Sequence, residues 1–130
     1  MPLCSSDGHE VITFQIPQRV LADYCAVVGK TVTSTVPPLL LARIWARFEQ
    51  YEKYMAMPIK LISTEVSVRE SIYPNTCYYG MLIIETPQKK KAFTIFNMAL
   101  HVYEYNKTQS LVQCSPLVII QQRFVLKGDM

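Results

Sequence analysis

Apolar positions along the chain recur first with period two, then with the helical period, then with period two again. Val11 to Ile16 alternates, placing Ile12, Phe14 and Ile16 on one face, as in a short, half-buried strand. Pro17 suits the first turn of a helix, where backbone N–H groups go unbonded anyway. Val20, Leu21, Tyr24, Cys25 and Val28 follow at helical spacing, and Gly29 accepts the left-handed conformation that closes many helices. This predicts a first helix over 18–28. Lys30 to Thr35 is polar and β-branched and reads as a loop. Ser34 or Thr35 suits the cap of the next helix, and Pro37-Pro38 its start. From Leu39 onward, Leu40, Leu41, Ile44, Trp45, Phe48, Tyr51 and Met55 form a wide apolar surface. A helix of that kind needs cover on most sides.

After Pro58 the period returns to two. Ile62, Thr64, Val66 and Val68 make one strand, ending near Tyr73-Pro74-Asn75. Cys77 to Glu85 is the next, and Thr86 to Lys91 a turn. Ala92 to Tyr105 follows, with Phe96, Met98, Leu100 and Val102 on one face. Asn106 to Gln109 turns again, and Leu111 to Val125 is the last strand. Pro116 within it lacks a backbone donor, which implies an edge strand or a bulge. Short links force antiparallel neighbours. Four long strands and one very apolar helix have one economical solution, a sheet that curves around the helix. The expected fold is therefore α+β: a hot-dog fold, with a long central helix wrapped by a curved antiparallel sheet of about five strands. It fills a single domain over 1–130, with 1–9 flexible.

Composition changes this picture little. Half of the 130 residues are hydrophobic and 18% are charged, which supplies a core and excludes a disordered chain. The net charge of +3 comes partly from Lys89-Lys90-Lys91, a tight turn rather than a nucleic-acid footprint. Cys4, Cys25, Cys77 and Cys114 form no CxxC pair, so neither a metal nor a cofactor is expected. The last three lie in apolar segments and read as reduced, buried small hydrophobes. No basic start precedes an apolar run at the N-terminus, and no stretch approaches the roughly 20 apolar residues of a membrane span. The expected location is the cytoplasm. Asn106-Lys107-Thr108 reads as a polar turn.

Three segments carry a resemblance. Phe14 to Gly29 is similar to the opening of MaoC-like hydratases and dehydratases, where a first strand leads to a helix ending in a small residue plus glycine. Pro37 to Trp45 looks like the start of that family's central helix, and Ser63 to Pro74 like the strand leading to its substrate-side turn. The likeness runs over about residues 10–122. It implies the hot-dog fold, dimers, and a thioester channel at the dimer interface. The family keeps an aspartate and a histidine just after the first helix, to position water and move protons at an enoyl thioester. That work needs groups that exchange protons near neutral pH. Here Lys30 stands at the aspartate position and Thr35 at the histidine position. A threonine hydroxyl is a poor base without an activating neighbour, and lysine is charged unless burial lowers its pKa. No catalytic residue is therefore assigned.

Other candidates give no dyad. His9 lies near the N-terminus. His101 faces away from Leu100 and Val102, Asn97 and Glu104 fall on opposite faces of one strand, and so do Glu65 and Glu70. Gly29-Lys30-Thr31 resembles the end of a phosphate-binding loop, but Tyr24 stands where its leading glycine belongs. The expected function is binding of an acyl thioester, as acyl-CoA or acyl carrier protein, without standard hydratase activity. The chain is then a homodimer, or the non-catalytic subunit of a heterodimer with another hot-dog subunit. Lys30, Thr35, Leu41, Trp45 and Phe48 are the expected substrate-binding residues. One alternative is an active thioesterase or atypical dehydratase, using Glu49 or Glu52. Another is a structural or regulatory interaction domain. Neither nucleic acid nor membrane is an expected partner.

Overall fold

The computed structural model describes residues 3–4, 10–29, 31, 34–105 and 115–127. The chain forms β1 (Leu3–Cys4), β2 (Glu10–Phe14), α1 (Gln18–Val27), a 3-10 helix (Pro38–Arg47), α2 (Glu49–Met55), β3 (Lys60–Val68), β4 (Tyr78–Ile84), β5 (Gln88–Lys89), β6 (Phe93–Glu104) and β7 (Val118–Lys127). The sheet is antiparallel and runs β1-β2-β4-β6-β7-β3, with β5 paired to β6. Five strands are long enough to carry the fold. β1 and β5, of two residues each, extend it at the edges. The rest of the expected flexible N-terminal segment lies outside the described residues.

One face of this sheet closes over the helical segment. Ile12, Phe14 and Ile16, then Phe96, Met98, Leu100 and Val102, are all buried in one cluster with Leu40, Leu41, Ile44, Trp45 and Phe48. The period-two pattern thus becomes a single inner surface, as alternation across a strand requires. Gly80 of β4 lets the helix approach this surface. A Cβ there would lie 3.3 Å from Phe14 Cε1 and 3.4 Å from Ile44 Cδ1, tighter than comfortable carbon contact.

The apolar helical stretch is not continuous. It winds as a 3-10 helix to Arg47, breaks at Phe48 (φ −90°, ψ 131°) and resumes as α2. The extended Phe48 backbone interrupts the amide ladder and turns its ring into the core, where it is fully buried. The break exposes the first amides of α2, and Glu10 of β2 takes them. Its carboxylate accepts from the amide of Glu49 at 2.8 Å and from that of Gln50 at 3.2 Å. No side chain local to α2 caps it. The 3-10 helix runs for ten residues, longer than the few usual for that form.

Three further expectations change. Pro116 precedes β7 rather than interrupting it, and β7 is a central strand between β6 and β3. Pairing begins once the chain has passed the proline, with the Leu117 amide donating to the Val102 carbonyl at 2.7 Å. Met55 ends α2 exposed rather than covered. Of the cysteines, Cys25 is buried but Cys77 is free and exposed, because it sits in the link before β4.

β3 forms one edge of the sheet, and all nine of its residues are exposed. A bulge between Leu61 and Ser63 leaves Ile62 without a partner in β7. Thr64, Val66 and Val68 pair with Gln122, Ile120 and Val118. They share the inner face, yet they remain exposed.

Candidate functional site

The site implied by the sequence lies between α1 and the 3-10 helix. Gly29 closes α1 at φ 73°, the left-handed region that favours glycine. The chain then crosses to Val36, whose amide donates to the Ile72 carbonyl at 2.7 Å in an isolated antiparallel bridge. Ile72 opens the turn after β3, and that turn is anchored from three sides. The Tyr73 amide donates to the buried Tyr78 hydroxyl at 2.9 Å. The Asn75 amide donates to the Ile16 carbonyl at 2.8 Å. Asn75 Oδ1 accepts from the Gln18 amide at 3.1 Å. Asn75 has φ 58°, a conformation that asparagine tolerates better than most residues. It therefore caps α1, whose own N-cap residue, Pro17, has no side chain able to do so.

Thr35 is half-buried beside this bridge. Lys30 lies outside the described residues, as do His9 and Cys114. Leu41, Trp45 and Phe48 are 0%, 1% and 0% exposed and belong to the main core. Trp45 packs against Tyr51 with ring centroids 5.6 Å apart. Its Nε1 is buried with no hydrogen-bond partner, one of two such atoms among the described side chains with Thr94 Oγ1. Buried donors are normally satisfied, so this one calls for an explanation.

The alternative candidate groups lie elsewhere. His101 is on the outer face of β6, its Nδ1 3.3 Å from Tyr103 Oη, with the sheet between it and the helices. Glu49 and Glu52 are exposed on α2. Glu10, the carboxylate that the structure does bury, is engaged by two amides. Its signal in the sequence was faint: an acidic residue at an inward position of a strand. Among the described residues, no three His, Cys, Asp or Glu side chains gather as a metal site would require. A cavity of about 300 Å³ opens on the outer face of the sheet. Ser63, Glu65, Asn97, Gln121 and Arg123 line it, with Arg123 Nε donating to Asn97 Oδ1 at 3.1 Å. It belongs to the side of the sheet away from Thr35. No described helix is long and apolar enough to cross a membrane.

The fold has counterparts among known structures. HtdX of Mycobacterium tuberculosis superposes with a TM-score of 0.66 at 14% identity, over 90% of this chain and 51% of that one; the chain thus spans about half of HtdX. The HadBC (3R-hydroxyacyl-ACP dehydratase) complex from the same organism gives 0.68 at 7% identity, over 91% and 96%. The (R)-hydratase from A. caviae involved in PHA biosynthesis gives 0.60 at 8%, over 89% and 92%. These are hot-dog proteins, and the fold of this chain is the hot-dog fold. The hot-dog dehydratases among them agree in fold with the expected likeness to MaoC-like domains. In sequence, Protein VraC of Staphylococcus haemolyticus is 29% identical over 108 residues, 83% of this chain and 86% of that protein. Protein VraC of Staphylococcus epidermidis is 25% identical over 125 residues, 95% and 100%. Over residues 1–126 the chain matches the family described as "Uncharacterised conserved protein VraC", and it belongs to that family.

Proposed function

We propose that the protein is a cytoplasmic acyl-thioester-binding hot-dog subunit that does not hydrate its ligand. The observation that carries this reading is the loop from Gly29 to Val36. In the same fold as the dehydratases, the sequence between Gly29 and Val36 holds a lysine and hydroxyl residues but no carboxylate or imidazole, the groups that proton transfer needs. The thioester end lies at Lys30 and Thr35, and the acyl chain runs along Leu41, Trp45 and Phe48. All three are packed away in the single chain, so the acyl chain reaches them only when the segment shifts. The unsatisfied Trp45 Nε1 fits a position that gains an acceptor on binding.

The functional unit is a dimer, built along β3. That strand offers a row of unpaired backbone groups at the sheet edge, with Leu61, Ile62, Val66 and Val68 between 41% and 54% exposed. An open apolar edge of this length invites a further strand. A second copy, or another hot-dog subunit, covers it and closes the inner face beside Val66 and Val68. The dehydratase neighbour HadBC, itself a complex, supports a partner of this kind.

Trp45 is the one tryptophan, which makes the test direct. Titration with hexadecanoyl-CoA is expected to change its fluorescence saturably, with a midpoint between about 1 μM and about 1 mM, the span usual for enzymes and their substrates. Crotonyl-CoA is expected to show no hydration above the buffer rate, and hexadecanoyl-CoA no release of free thiol. Hydration would restore a catalytic role, thiol release would favour the thioesterase alternative, and an unchanged Trp45 signal would remove the ligand.

A further inference from the structure

The lysine run at 89–91 is one part of a larger feature that only the strand register reveals. Lys89 pairs with Thr94 at the start of β6, and the Lys90 amide donates to the Phe93 carbonyl at 2.8 Å. Lys127 of β7 pairs with that same Phe93. Lys60 of β3 pairs with Val125, whose partner in β6 is Ile95. Lys60, Lys89, Lys90, Lys91 and Lys127 therefore gather at one end of the sheet. They lie within about two residue steps along the strands, roughly 7 Å, and across three strand spacings, roughly 14 Å. All five are exposed, and none has a carboxylate within ion-pair distance among the described residues. Glu85, beside the hairpin, is no exception.

The charge is also lopsided. Of the 13 basic residues these are five, and the remaining eight are outnumbered by ten acidic ones. Among the described residues positive charge is thus concentrated at this end. Like charges held this close repel, and without an opposing surface that repulsion is uncompensated.

We propose that this lysine end is a docking surface for an acidic protein, the carrier that presents the acyl group; the proposal rests on the acyl-thioester reading above. The spread of the charges favours a protein face over a phosphate group. A phosphate site converges donors on one point, whereas these are flexible single-charge side chains distributed over about 14 Å, matching a row of carboxylates. The placement suits the dimer as well. β3 runs from Lys60 at the basic end to Val68, four residues before Ile72 and its bridge to Val36. If β3 pairs antiparallel with β3 of a second copy, the basic end of each copy comes beside the Thr35 loop of the other. A carrier docked on one copy then delivers its thioester to the loop of its neighbour.

The test uses the full chain and a charge reversal, Lys89→Glu with Lys91→Glu and Lys127→Glu, at exposed positions whose change leaves the melting curve in place. The first probe is the acyl carrier protein of Staphylococcus epidermidis without an acyl group, followed by titration calorimetry; the second is hexadecanoyl-CoA, followed by Trp45 fluorescence. We expect carrier binding to weaken at least about tenfold between about 50 and 300 mM salt, and at least about tenfold in the reversed variant at low salt. Coenzyme binding is expected to stay within about twofold, as it makes no use of this surface. Carrier binding that is absent, or indifferent to the reversal, overturns the proposal. So does a reversal that weakens only the coenzyme, which would make the patch a phosphate site. Carrier binding without any Trp45 response leaves the docking surface standing and removes the acyl-thioester reading instead.

Discussion

Phe48→Ala is expected to lower the unfolding free energy by about 3–5 kcal/mol, a large share of the about 5–15 kcal/mol total stability of an ordinary domain. The ring is fully buried, and it sits at the one residue where the helical segment is extended. Its amide closes the 3-10 helix onto the Trp45 carbonyl at 3.1 Å, and its carbonyl accepts the first α2 bond, from Glu52 at 3.4 Å. Deleting the side chain therefore leaves a cavity and frees the joint between the two helices. Phe48→Leu keeps most of the volume and should cost less than about 2 kcal/mol. Urea unfolding followed by far-ultraviolet circular dichroism measures both. Equal, small losses for the two variants would mean that the ring does not hold the joint.

Glu10→Ala is the second large effect, at about 2–3 kcal/mol. Two charge-assisted bonds to the amides of Glu49 and Gln50 are lost, each worth roughly 1.5–3 kcal/mol when made to a charged group. Part of this is offset, because burying the carboxylate in the native state is itself costly. The favourable location, at the positive end of a helix, adds a few tenths to about 1 kcal/mol. Glu10→Gln keeps one acceptor oxygen but turns an amide group toward a backbone donor, so an intermediate loss is expected. The same urea experiment checks it, and a Glu10→Ala variant as stable as the parent would exclude the cap as the source of the α2 start.

These two residues also show where sequence reading reaches its limit. Ile12, Phe14 and Ile16, and Phe96 to Val102, announce their inner face by alternation alone, since a strand offers only two faces. The apolar row from Leu40 to Met55 is equally consistent with one helix or with two joined at a buried phenylalanine. What decides between them is Glu10, 39 positions from Glu49, and a periodicity has no term for so distant a partner. Asn75 is likewise legible as a turn residue but not as the cap of α1, 57 positions away. Lys60 and Lys127 join the visible run at 89–91 only through pairing register. The polar loop after Gly29 was legible from the glycine that closes α1 and the prolines that open the 3-10 helix. Leu41, Trp45 and Phe48 were legible as apolar and helical; their complete burial followed from the curvature of the sheet, which no local pattern encodes.

An acyl-thioester-binding subunit that works with a second hot-dog chain, as proposed, carries partner and ligand together. Native mass spectrometry of the protein gently isolated from its own cell tests it most directly, because partner and ligand are weighed together. The expected species is two hot-dog chains, either two copies or one copy with a different subunit, carrying the added mass of an acyl group or acyl thioester. A single chain of 14.9 kDa with neither partner nor acyl mass would contradict it.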